Sequence, residues 1–461
     1  MNRLLISAAH KSSGKTTISI GLCAALQSSG YQVQPFKKGP DYIDPMWLGK
    51  AAGSPCFNLD FYTMSHDEIL AKIHQHVDDC DICIIEGNKG LYDGLDIEGS
   101  NSNAALARLT QTPIILVIDV QGMTRGIAPL LLGYQAFQKD ITIAGVILNQ
   151  IRGKRHEDKL RAVIQHYTDI PVVGAVYHNP ELAITERHLG LIPSNEDHEA
   201  QEQIQRIGKL IAEQVDLSQL HKIAAESKAI PASTYLHLRH DYTKTVKVAV
   251  ARDAAFGFYY PDDLHAFTEC GAEIIPFNTL EDGRLPECDA MFIGGGFPES
   301  LMEKLEQNTS MRQSIKDAID NGLPAYVECG GLMYLSRSIK WHDKTHNMVG
   351  CVPGDITMHK RPIGRGYVQL EVSEQHPWNT VNASYLPSSQ FPAHEFHYSS
   401  IDNMPENAQF AYNIKRGTGI NGKQDGFIYK NLIASYVHLR DTSDNHWVEY
   451  FVNFIRSKSE R

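Results

Sequence analysis

An apolar run, Leu4-Leu5-Ile6-Ser7-Ala8, leads into Ala9-His10-Lys11-Ser12-Ser13-Gly14-Lys15-Thr16 and then into a helix-like stretch over residues 16–29. This order narrows the fold more than any other feature. A strand that turns sharply through small residues into a helix is the opening unit of a parallel α/β sheet. The turn matches the phosphate-binding loop pattern at every fixed position but the first, where Ala9 replaces glycine. In such a loop, backbone N–H groups and a helix N-terminus point at phosphate oxygens. Ser12, Ser13, Gly14, Lys15, Thr16 and Thr17 are therefore the expected ATP-binding residues. Lys15 is expected on the β/γ-phosphates and Thr16 on Mg²⁺.

The alternation continues. Residues 4–8, 81–86, 114–120, 143–148 and 171–176 read as buried strands, and 16–29, 68–77 and 155–167 as intervening helices. That spacing predicts a doubly wound, mostly parallel sheet. Residues 200–216 form an amphipathic stretch and 230–245 lack periodicity, as in a closing helix followed by a linker. A second α/β series begins at Val246, with strands expected at 246–251, 272–276, 290–294 and 325–328. Beyond Trp341 the pattern turns antiparallel, with turns at Gly354, Gly364-Arg365-Gly366 and Gly417-Thr418-Gly419. The expected domains are 1–195, a closing helix and linker over 196–245, and 246–455. At 461 residues, two or three domains are the size expectation as well.

Composition excludes several classes. A formal charge of −11 argues against a general nucleic-acid binder. No window has the roughly 18 consecutive apolar residues of a membrane span, so no membrane partner is expected. The N-terminus lacks a secretory apolar stretch, and eight cysteines in this length do not make a disulfide framework. A cytoplasmic protein with reduced thiols is expected. Cys80 and Cys83, without a second pair at zinc-site spacing, read as structural.

Several acids end strands of the first half. Glu86 in Glu86-Gly87 is placed to hold a metal, whereas Asp119 is equally a helix cap. Asn149 is either a turn former or a reader of an adenine edge. The segment Lys37-Lys38-Gly39-Pro40-Asp41-Tyr42-Ile43-Asp44-Pro45 packs two cations and two acids around glycine and proline breakers, for which a solvated loop is only the plainest reading. Together with Glu86-Gly87 and Gly90-Leu91-Tyr92-Asp93-Gly94, it resembles the cobyrinic acid a,c-diamide synthase family. The resemblance implies a dethiobiotin-synthetase-like P-loop domain in which ATP phosphorylates a carboxylate. It implies that Asp41, Asp44, Glu86 and Asp93 handle metal and acyl phosphate, with Thr16, Asp44 and Glu86 on Mg²⁺.

In the second half, Cys329 stands between an apolar strand and a helix-like run in Val327-Glu328-Cys329-Gly330-Gly331. A cysteine on such a turn is exposed to attack a carbonyl, and nearby N–H groups lower its pKa and hold an oxyanion. His438 follows a late apolar strand as the candidate base. Early cysteine and late histidine is the chain order of class I glutamine amidotransferases, whose flavodoxin-like α/β fold this implies. Many of these carry an acid two residues past the histidine, where this chain has Arg440, so a complete triad is not readable. The family resembles a Cys-His dyad in this respect. Phe292-Ile293-Gly294-Gly295-Gly296-Phe297-Pro298 matches its oxyanion loop, which implies that Gly295, Gly296 and Gly330 hold the bound glutamine. Ala393-His394-Glu395-Phe396-His397 is another match, read as packing rather than as a metal site.

The resemblance covers nearly the whole chain. It implies glutamine- and ATP-dependent amidation of the a and c acetates of cobyrinic acid in cobalamin biosynthesis, and small-molecule partners only: tetrapyrrole polycarboxylate, glutamine and ATP. A homodimer stays open. Lys37, Lys38, Lys89, Arg125 and Arg152 are candidates to balance the substrate's charges. The chain departs from the family at Asn88-Lys89, where apolar residues are usual, and at the polar Gly99-Ser100-Asn101-Ser102-Asn103. The same chemistry on sirohydrochlorin or sirohaem is therefore an alternative. A nucleotide-switched partitioning-type ATPase is an alternative of another class, but His10 stands where its signature lysine belongs.

Overall fold

A computed structural model describes residues 2–77, 79–182, 184, 186–187, 190–196, 199–235, 245–381 and 388–459. The chain divides into two compact units, Met1–Leu236 and His237–Arg461.

In the first unit, β1 (Arg3–Ala8) is followed by α1 (Lys15–Ser28), β2 (Val33–Lys38), α2 (Ile43–Ala52) and β3 (Phe57–Leu59). Then come β4 (Ile82–Glu86), β5 (Ile114–Asp119), β6 (Ile143–Ile151) and β7 (Val172–Tyr177). They form a seven-stranded sheet in the order β3-β2-β4-β1-β5-β6-β7, every pairing parallel. Both faces are buried, as a parallel sheet requires. Leu4 and Ile6 of β1 point into one apolar core with Ile18, Leu22 and Leu26 of α1, while Leu5 points into the other with Ile85, Leu116 and Leu148. The carboxyl ends of β1, β2 and β4 lie side by side in this order, and that edge is where open α/β sheets bind ligands.

One expectation changes here, and another gains a second helix. Lys37 and Lys38 are not part of a solvated loop: they end β2, at 2% and 7% exposure, and Ile43 opens a helix. The reason is tertiary. Val33 and Phe36 each meet a different core across one short strand, a pattern too brief to read as alternation. The stretch after residue 196 holds two helices, Ala200–Gln214 and Leu217–Ala225, both within the first unit. Ile204, Ile207 and Ile211 seat the former on the α1 core. Part of the expected linker, 236–244, lies outside the described residues.

The second unit carries a nine-stranded mixed sheet. Its parallel part runs Ala272–Phe277, Val246–Ala251, Ala290–Ile293, Ala325–Glu328 and Leu432–Ser435, a 2-1-3-4-5 order of the flavodoxin kind. Antiparallel strands Gln424–Tyr429, Phe410–Arg416, Gly364–Val372 and Gln390–His397 extend it. Most pairings beyond Trp341 are antiparallel, as the sequence predicts, but Leu432–Ser435 and Asp355–Met358 pair in parallel with earlier strands. Among the described residues no helix is long and apolar enough to cross a membrane.

Candidate active site

The phosphate loop joins β1 to α1. Ser12 (φ 68°) and Gly14 (φ 83°) take left-handed backbone conformations, which glycine adopts without strain. Gly14 is further required by a close approach, because a Cβ there would stand 2.1 Å from Asn149 Nδ2. That amide donates to Ser13 O at 2.9 Å, so Asn149 braces the loop from the end of β6. Ser13 Oγ donates to His10 O at 2.8 Å, and Thr17 lies half-buried in the first turn of α1. No acid occupies that first turn, which leaves it open to an anion.

Sheet register then assembles a charged cluster. Lys37 of β2 lies across from Glu86 of β4, and Glu86 lies across from Ile6 of β1. Lys15 pairs with Glu86 Oε1, which Lys37 approaches at 3.2 Å and Thr16 Oγ1 at 2.6 Å. Thr16 Oγ1 is also 3.3 Å from Asp44 Oδ2, which pairs with Lys37. Asp41 stands 3.7 Å from Lys37, and its Oδ1 accepts the Ile43 and Asp44 N–H groups at 3.0 and 3.2 Å, capping α2. Burial opposes the charge on Lys37, but Asp44, Glu86 and Asp41 outweigh it and hold its pKa well above the ordinary value. Burial likewise opposes ionisation of Asp44, yet Lys37, Lys15 and the Thr16 hydroxyl keep its pKa low. For Lys15, burial prevails over Glu86 and lowers the pKa.

Glu86 Oε2 is fully buried and has no hydrogen-bond partner among the described residues. A buried carboxylate oxygen beside a threonine hydroxyl and a second carboxylate is the hard oxygen set that suits Mg²⁺. Asp93 stands apart: it is exposed, its Oδ2 accepts Gly90 N–H at 3.0 Å, and it makes no ion pair with the cluster among the described residues. Asp119 accepts Gln121 N–H at 2.9 Å, as a turn cap. Arg125 lies over the Tyr167 ring and donates to its hydroxyl at 2.8 Å.

In the second unit, Cys329 takes φ 47° and ψ −100° between strand Ala325–Glu328 and helix Gly330–Leu335. A non-glycine residue held in such a conformation marks a turn that its surroundings over-determine. Here Cys329 N–H donates to Ser435 O at 2.7 Å, tying the turn to the strand that leads to His438. Asp425 accepts from Ser435 Oγ, Tyr436 N and Val437 N at 2.6, 3.0 and 2.8 Å, which fixes the chain just before the histidine. The imidazole is buried, stacks on His394 with centroids 5.0 Å apart, and faces Gly295, where a Cβ would stand 2.7 Å from Cε1. Gly330 and Gly296 abut: a Cβ on Gly330 would lie 2.9 Å from Gly296 N.

The acid absent after His438 comes from elsewhere. Glu328 Oε2 lies 3.3 Å from His438 Nδ1, and its Oε1 accepts from Leu439 N and Tyr326 Oη, both at 2.8 Å. Burial opposes the imidazolium, but the hydrogen bonds and charges of Cys329 and Glu328 raise the His438 pKa to about 10. Arg440, two residues past His438, pairs with buried Asp262 at 3.1 Å and lies over Tyr260. Sequence reading missed Glu328; its one signal is the shared strand face with Tyr326, two residues earlier. His397 stacks on Tyr436 at 3.9 Å and Glu395 accepts from Thr418 and Gly419 N–H groups, which is packing. No metal-type group of three His, Cys, Asp or Glu occurs among the described residues. Cys80 and Cys83 are free thiols with sulfurs 3.4 Å apart.

Comparison with known proteins matches residues 5–192 to the CobQ/CobB/MinD/ParA nucleotide binding domain and 247–446 to the CobB/CobQ-like glutamine amidotransferase domain. The chain is 41% identical over 461 residues to the cobyrinate a,c-diamide synthase of Magnetococcus marinus, covering 99% of this chain and 97% of that one. It is 39% identical over 482 residues to that of Methanosarcina barkeri, covering 99% and 96%. It is 39% identical over 442 residues to that of Listeria innocua, covering 95% and 96%. With both halves matched in order and nearly the full length aligned, the chain belongs to the cobyrinate a,c-diamide synthase family.

Proposed function

We propose that this enzyme converts the a and c acetate carboxylates of cobyrinic acid to carboxamides, using glutamine as nitrogen donor and ATP as activator. The observation that carries the chemistry is the pairing, in one chain, of the Glu328–His438–Cys329 line with a phosphate loop whose Lys15 and Thr16 share Glu86.

The Cys329 thiolate attacks the glutamine carboxamide carbon, forming a C–S bond and the γ-glutamyl thioester. The C–N bond breaks, and the His438 imidazolium gives its proton to the leaving ammonia. Water then hydrolyses the thioester to glutamate. Gly295, Gly296 and Gly330 allow backbone N–H groups to come close enough to hold the oxyanion. Glu328 keeps the imidazole oriented through Nδ1.

In the first unit, a substrate carboxylate oxygen attacks the γ-phosphorus of ATP, and the bond to ADP breaks. Ammonia then displaces phosphate from the acyl phosphate to give the amide. Lys15 and Lys37 neutralise charge gathering on the phosphoryl oxygens, and Asp44 with Glu86 keeps those lysines in place. Thr16, Asp44 and Glu86 are the residues that would hold Mg²⁺, which when bound supplies further charge neutralisation at the phosphates. Asn149 serves the loop's shape through Ser13 O.

The test is mass spectrometry of products formed from cobyrinic acid and sirohydrochlorin with ATP, Mg²⁺ and glutamine. Mono- and diamides of cobyrinic acid are expected. Amides on sirohydrochlorin and none on cobyrinic acid would overturn the substrate assignment. Release of glutamate with no amide on either would overturn the ligase assignment.

A further inference from the structure

Lys38 is a charged side chain that the chemistry above leaves unused. It ends β2, opposite Leu59 of β3, and is 93% buried by its 7% relative exposure. Among the described residues its ammonium makes no hydrogen bond or ion pair within 4.0 Å. Side chains alternate along a strand, so Lys38 emerges on the opposite face from Lys37 and is separate from the Asp44–Glu86 cluster. The loop after β4 comes close to the residue that follows Lys38: a Cβ on Gly39 would lie 3.4 Å from Asn88 Nδ2. That loop is held rigidly by Asn103, which bonds Asn88 N, Asn88 O and Gly90 O at 2.9, 2.8 and 3.0 Å. It presents exposed Asn88 and Lys89, the latter with a left-handed backbone (φ 54°). The one acid that acts on Lys38, Asp60, is engaged in its own turn with Tyr62 N and Thr63 Oγ1 at 3.2 and 3.1 Å.

The stem of Lys38 is buried while its ammonium reaches solvent, so a fixed cation without an acceptor among the described residues faces the ligand-binding edge of the sheet. We infer that Lys38 and Lys89, with the Asn88 amide, form a subsite for a carboxylate of the tetrapyrrole other than the one being phosphorylated. The subsite rests on the functional reading above and adds a specificity determinant to it. A second fixed carboxylate orients the macrocycle against the phosphate loop. Burial, with repulsion from Lys89, Lys37 and Lys15 and only partial relief from Asp60, lowers the Lys38 pKa to about 8. Lys38 therefore loses its charge as pH rises through that value.

The experiment compares Lys38→Met and Lys89→Met with wild type in steady-state kinetics, using whichever of cobyrinic acid and sirohydrochlorin the wild type amidates. Loss of a charge-assisted hydrogen bond should raise the macrocycle KM by ~10- to 100-fold for Lys38→Met, with the KM values for ATP and glutamine unchanged. Wild-type macrocycle KM should climb above about pH 8, and this climb should vanish in Lys38→Met. If Lys38→Met does not fold, exposed Lys89→Met decides by a smaller rise in the same KM. A raised ATP KM would make the anion a phosphate and overturn the inference, as would an unchanged macrocycle KM. A wild type that amidates neither macrocycle would instead sink the functional reading.

Discussion

Glu328 immediately precedes the nucleophile Cys329 in the chain, yet its carboxylate reaches His438 Nδ1, 110 residues away in sequence, at 3.3 Å. The strand that delivers the thiol thus also delivers the acid that orients its base. Glu328→Gln should lower the glutamine-dependent rate by roughly 10- to 1,000-fold, short of the loss on deleting a triad member. The rate with ammonium chloride should be preserved. Because Glu328 helps raise the His438 pKa to about 10, the alkaline fall of glutaminase activity should move to lower pH in the variant. An unmoved alkaline limb would mean that Glu328 is a packing residue.

Cys329→Ala should separate the half-reactions. Only the thiolate forms the glutamyl thioester, so glutamine should cease to support synthesis. Free ammonia should still do so at alkaline pH, where NH₃ is unprotonated. Paired rates with glutamine and ammonium chloride provide the check, and a retained glutamine-dependent rate would contradict the assignment.

What the sequence reveals and conceals has physical causes. β1, β4, β5 and β7 are apolar runs legible within one or two residues, and β6 runs three residues past its expected end. β2 and β3 are not, because Gln34, Pro35 and two lysines interrupt the first and the second spans only Phe57–Leu59. The loop residues Gly14, Lys15 and Thr16 and the nucleophile Cys329 carry local patterns and are readable. The brace that Asn149 supplies is neither of the two roles its sequence suggests, turn former or adenine reader, because its partner Ser13 O lies 136 residues away in sequence. Glu328 is hidden because the sequence pattern places such an acid after the histidine, whereas the fold supplies it across neighbouring parallel strands.

Asn149→Ala should weaken nucleotide use without touching glutaminase activity. The lost bond is the one that Asn149 Nδ2 donates to Ser13 O, and the backbone it steadies is the phosphate cradle. One neutral hydrogen bond is worth about 0.5–1.5 kcal/mol, so the ATP KM should rise by ~2- to 12-fold. An unchanged ATP KM would show that the loop keeps its form without this brace.

Lys37→Met tests whether the charged cluster is a balanced unit. Lys37 is 2% exposed and stands among Asp44, Glu86 at 3.2 Å and Asp41 at 3.7 Å. Removing it leaves Glu86, itself fully buried, with Lys15 alone and leaves Asp44 without its nearest cation. Breaking a buried pair from one side costs about 3–5 kcal/mol, because the remaining charge has lost its compensation. Denaturant unfolding of the first unit should show a loss of that order. Mg²⁺ with ATP should restore part of it, since a divalent cation can take up the surplus negative charge. In the wild type, Asp44 has a depressed pKa, so its contribution is present above about pH 4 and disappears as pH falls through its folded-state value. The variant lacks this contribution, and its stability should depend less on acid in that range. A loss below about 1 kcal/mol with an unchanged acid limb would mean that solvent screens these carboxylates and that Lys37 serves catalysis alone.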